Sequence, residues 1–80
     1  MMQLHEVSSK ADLLRFLAAL RKDLVTNKEN WENPTLDMYL EAMQSWIQVM
    51  DGYYSDTYQT IPEQTWKILA DILYAAKIHE

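Results

Sequence analysis

From Leu36 to Met50 apolar residues return every three or four positions: Leu36, Tyr39, Leu40, Met43, Trp46, Ile47 and Met50. A period of 3.6 residues lays all seven on one side of a helix and leaves Asp37, Glu41, Gln44, Gln48 and Asp51 on the other. A strand cannot use this pattern, because its faces alternate at every residue. The middle of the chain is therefore helical, and one side of that helix must be covered.

Start and stop signals flank the pattern. Asn33 can cap, Pro34 suits the first helical position, and Gly52 offers a left-handed stop directly after Asp51. The spacing predicts a helix over 34–51. A second pattern begins at Ser9, with an acid, Asp12, three residues on in a capping-box-like start. Leu13, Phe16, Leu17, Leu20 and Leu24 then share one face, which predicts a helix over 10–26. Pro62 and Glu63 open a third, over 62–78, with Trp66, Leu69, Leu73 and Ala76 on one face and Ile68, Ile72 and Ala75 on an adjacent one. So broad an apolar surface predicts that this is the most buried helix. Residues 53–61 follow neither period and read as a loop carrying Tyr53, Tyr54 and Tyr58.

One Gly and two Pro leave little for the tight turns of a β fold. The reading is an all-α three-helix bundle forming a single domain over 1–80. Its expected core is Leu17, Leu20, Leu40, Met43, Trp46, Ile47, Trp66, Leu69 and Leu73. With no Cys, disulfides, thiolate metal sites and Cys nucleophiles are all excluded. No apolar run has the length of a membrane span or a secretory leader, so a cytoplasmic protein is expected, without membrane association.

Charge is segregated along the chain. Residues 1–28 hold five bases and three acids, residues 29–66 hold seven acids and no Lys or Arg, and residues 67–80 hold two of each, for a net charge of −5. Seven of the nine aromatics fall in the acidic middle. A phosphate backbone would be repelled there most of all, so nucleic acid is not the expected ligand. A basic protein is, because acids unneutralised by neighbouring bases steer cations and Tyr and Trp anchor interfaces.

Each feature has a plainer counterpart. The acidic stripe also serves as a solvated face, and Trp31 beside a capping Asn33 packs as a staple. The three Tyr are the residues least well explained by core packing. The candidate partner-binding residues are thus Glu32, Asp37, Glu41, Asp51, Tyr53, Tyr54 and Tyr58. His5, Glu6, His79 and Glu80 have no diagnostic metal-ligand spacing, so no metal is expected. Gly-rich phosphate loops, nucleophile elbows and zinc-protease signatures do not occur, and neither a cofactor nor an enzymatic activity is expected.

Trp31-Glu32-Asn33-Pro34-Thr35-Leu36, then Tyr39-Leu40-Glu41-Ala42-Met43 and Trp46, followed by the run from Trp66 to Ala76 (Trp-Lys-Ile-Leu-Ala-Asp-Ile-Leu-Tyr-Ala-Ala), resembles a family of short bacterial proteins carrying a domain of unknown function. The likeness runs from about the first helix to the C-terminus. It implies a stand-alone bacterial domain and brings no activity with it. Together these features lead us to expect a non-enzymatic interaction domain, of which an immunity- or antitoxin-like inhibitor of a basic partner is one concrete form. A homo-oligomerising helical module, for instance a homodimer, is the first alternative, and an enzyme or metal protein using the residues at the two ends is the second.

Overall fold

In a computed structural model of the chain, residues 4–56 and 61–79 are described. A short 3-10 turn, Leu4–Glu6, precedes helix α1, Lys10–Thr26; a second 3-10 turn, Lys28–Asn30, leads to α2, Leu36–Asp56, and then α3, Gln64–Ile78. No strand occurs among the described residues. The described residues are all-α, with three α-helices. It divides into two compact units, Met1–Gln44 and Ser45–Glu80, with the boundary inside α2.

The start of α1 follows from its sequence. Ser9 is extended, and its hydroxyl accepts from the Asp12 N–H at 3.1 Å. The Asp12 carboxylate reaches back one residue further than a capping box requires. It accepts from the Ser8 N–H at 3.1 Å and the Ser8 hydroxyl at 3.2 Å, and it also pairs with Arg15. The Ser8 N–H beside it holds the Asp12 carboxyl below the usual carboxylate range. At the other end the Asn27 N–H closes on the Asp23 carbonyl at 2.8 Å.

Helix α2 differs from expectation at both ends. The cap is Thr35, whose hydroxyl accepts from the Met38 N–H at 3.2 Å while its carbonyl accepts from the Tyr39 N–H at 2.8 Å. Asn33 and Pro34 lie outside the helix, half-buried. The ring of Pro34 disfavours a helical conformation for Asn33 before it, so a hydroxyl one residue beyond the Pro takes over the cap. At the far end the helix runs through Gly52 to Asp56. A Gly permits a left-handed stop without imposing one. Tyr53 and Tyr54 are therefore helical in backbone, and the Tyr53 ring lies against Trp46 with centroids 5.9 Å apart and planes tilted by 57°. The predicted loop over 53–61 is corrected to that extent. Tyr58 and the side chain of Tyr54 lie outside the described residues.

The first turn of α3 is tightened by bonds from the Thr65 N–H to the Pro62 carbonyl (3.0 Å) and from the Trp66 N–H to the Glu63 carbonyl (3.3 Å). Pro62 thus sits before the helix and supplies an acceptor. Lys67 pairs with Asp71 one turn on at 2.6 Å, and the Lys77 ammonium lies 5.6 Å from the Tyr74 ring centre.

The expected core draws on both units, Leu17, Leu20, Leu40 and Met43 from the first and Trp46, Ile47, Trp66, Leu69 and Leu73 from the second. No described side chain is fully buried. Leu20 and Met43 are half-buried, while Leu17, Leu40, Trp46, Ile47, Trp66, Leu69 and Leu73 are all exposed to a third or more. Nor is α3 the most buried helix, since all its described residues except Thr65 are exposed. Periodicity establishes that a helix face is apolar; it does not supply the surface that covers it.

Three substitutions check the ends of α2. Thr35→Ala should destabilise by about 1 kcal/mol and Asn33→Ala by much less, measured by denaturant unfolding, because the hydroxyl is the cap. Gly52→Ala should stabilise by roughly 0.5–1 kcal/mol, since an added Cβ meets nothing within 4 Å and Gly is a poor helix former. A loss of stability there would mean that Gly52 is a left-handed stop after all.

Candidate interaction surface

Within the first unit the segment between α1 and α2 is held by one side chain. Trp31 is half-buried and donates its indole N–H to the Asp23 carboxylate at 2.7 Å. The same carboxylate accepts from the Asn27 side-chain amide at 2.9 Å. The Trp31 ring lies against Tyr39 in the first turns of α2, centroids 6.1 Å apart and planes tilted by 30°. A cleft of about 300 Å3 opens beside it, with Leu17, Leu20 and Leu24 of α1 and Trp31, Pro34 and Tyr39 among its lining. Trp31 therefore acts as a packing residue, as the staple reading held, although its ring partner is reached through a cap at Thr35.

Asp23 was missed in the sequence, and a signal for it exists. An anion in the last turns of a helix faces the negative end of the dipole, and α1 has no base in its last turn. A carboxylate kept there needs donors, and Asn27 and Trp31 provide them. The Asn27 amide first, and the Trp31 indole second, hold the Asp23 carboxyl below its usual range.

The acidic candidates are exposed. Glu32 lies between the packed Trp31 and the half-buried Asn33. Asp37 and Glu41, one turn apart on α2, are exposed in the first unit, and Asp51 is exposed in the second. The ion pairs among the described residues are Asp12–Arg15 and Lys67–Asp71, so none of these four acids is neutralised in that way.

The structure separates two features that the sequence reading had joined. Tyr53 follows Asp51 by two helical residues, about 200° round the axis, and so points away from the acid and toward Trp46. Asp51 and Tyr53 therefore lie on different sides of this helix. No group of three metal-ligating side chains occurs among the described residues, outside which the His5 side chain and Glu80 lie. Among the same residues no helix is long and apolar enough to cross a membrane.

Residues 9–80 match a family of unknown function (DUF7660), which spans α1, α2 and α3. The chain belongs to that family. No curated protein and no solved structure matches it.

The Trp31–Asp23 bond can be tested by acid. A carboxyl whose folded pKa is lowered adds stability above its unfolded pKa of about 3.9, and that stability disappears as pH falls through the folded value. Trp31→Phe keeps a ring but removes the donor. The Asp23 carboxyl, followed by NMR titration, should then move back up toward its ordinary value. The stability gap between variant and wild type should be largest near neutral pH and shrink below about pH 4. A gap independent of pH would mean that the indole N–H does not act through Asp23.

Proposed function

We propose that this chain is a non-enzymatic protein-interaction domain whose acidic strip on α2 receives a basic protein. The observation that carries the reading is the set of exposed acids, Asp37, Glu41 and Asp51, none of them ion-paired, in a stretch of sequence without Lys or Arg. On many surface helices acids are matched by bases three or four residues away. Unmatched, they project a negative field that speeds the encounter with a cationic surface. Glu32 extends the acidic stretch on the N-terminal side. The more specific form of the proposal is an immunity- or antitoxin-like inhibitor of a basic partner such as a nuclease toxin, supported by the small size, acidity and aromatic content. The domain works by occupying its partner, without a cofactor and without chemistry of its own.

The test begins with affinity capture at low and high salt, using the chain as bait. A captured basic protein is then used in binding kinetics. Reversing Asp37, Glu41 and Asp51 to Lys should leave helicity unchanged, because substitutions at exposed sites usually alter stability by within about 0.5 kcal/mol each. Association should slow by at least about tenfold and lose most of its salt dependence, while dissociation changes less. Unchanged association at low ionic strength would reduce the strip to a solvated face.

A further inference from the structure

We propose that the end of α2, residues 52–56, is a two-state segment that passes as one unit between helix and coil, with the Tyr53 ring on Trp46 as its latch. The helical form holds the two rings together, and the coil form releases Tyr53. Every residue involved belongs to the second unit. The device stands apart from the acidic strip and does not rest on the proposed function.

The sequence of this segment works against the helix it forms. Gly52 lies within α2, yet a Cβ added there would meet nothing within 4 Å, so no close approach calls for a glycine. What Gly brings is a weak link: relative to Ala it disfavours the helix about fivefold, and it accepts the left-handed stop at no steric cost. The four residues after it, Tyr53, Tyr54, Ser55 and Asp56, are all of types that rank below the good helix formers. The last turn also contains no base to favour the negative end of the helix dipole.

A ring contact works for it. Trp46 and Tyr53 are seven residues apart, two helical turns, which puts them on the same side of a continuous helix. Their centroids lie 5.9 Å apart with planes tilted by 57°, within the range where aromatic pairs attract beyond the area they bury. A left-handed residue at position 52 would turn the chain away and separate the rings. The attraction of such a pair is comparable in size to the cost of the glycine, and opposite in sign. Two opposing contributions so nearly matched populate both states.

The test is amide hydrogen exchange of the full chain, read residue by residue by NMR. A continuous helix bonds the N–H groups of Tyr54, Ser55 and Asp56 to carbonyls four residues back, and a break at Gly52 frees all three. They should share one protection factor, at least about tenfold below those of residues 47–50. Gly52→Ala should raise that shared value about fivefold and leave residues 47–50 unchanged. Tyr53→Ala separates the latch from propensity. Ala is the better helix former, so without a latch protection of the three amides rises, whereas loss of the ring contact should lower it by at least about threefold. The wild-type pattern and the Gly52→Ala response decide the matter even if Tyr53→Ala fails to fold. Three outcomes overturn the proposal: protection at 54–56 equal to that at 47–50, a gradual decline along 47–56 as at an ordinary fraying end, or protection that holds or rises in Tyr53→Ala.

Discussion

An amphipathic helix derives most of its stability in a protein from the apolar surface it hides, because propensity alone contributes little to a helix of a few turns. All three helices of this chain are of that kind, and none of their described side chains is fully buried. The demand for a covering surface therefore governs everything else: what the caps and turns can hold, and which side of each helix is available to a partner. Capping bonds at Ser9 and Thr35 fix where helices begin, but contributions of about 1 kcal/mol each do not replace a core.

Trp31 shows how the first unit meets this demand locally. Its ring covers part of the apolar side of α1 and the start of α2, while its single polar atom finds Asp23. An indole buried without a partner would forfeit much of the gain from its area. The arrangement also resolves an electrostatic conflict, since Asp23 sits toward the negative end of α1 and is held there by two donors. Removing Asp23 takes the acceptor from both donors, whereas removing Asn27 or Trp31 leaves the carboxylate with one donor fewer.

Charge and apolar surface follow different geometries on α2. Asp37 and Glu41 lie one turn apart in the first unit, and in the second Asp51 lies on a different side of the helix from the Trp46–Tyr53 contact. A cationic partner of the kind proposed would meet the acids without displacing the Trp46–Tyr53 contact. The family match covers residues 9–80, and with them all three described helices. The proposed function rests on the chemistry of the exposed acids.

Sequence by itself determined the number and kind of elements. Spacing of Leu13 to Leu24, of Leu36 to Met50 and of Trp66 to Ala76 requires helices, because only a 3.6-residue period gathers those side chains on a common face. It also located the Ser9 cap and the exposed acids, since these depend on neighbours within a turn or so. What sequence did not determine were choices between local options of similar energy: Thr35 over Asn33 as the cap, and continuation through Gly52 over a stop. Differences of about 1 kcal/mol separate such options, and packing decides them. The Asp23–Trp31 bond spans eight residues and two elements, so only tertiary structure brings its partners together. Burial was the least legible property of all. An apolar stripe announces that something must cover it, and the identity of the cover belongs to whatever surface faces it in space.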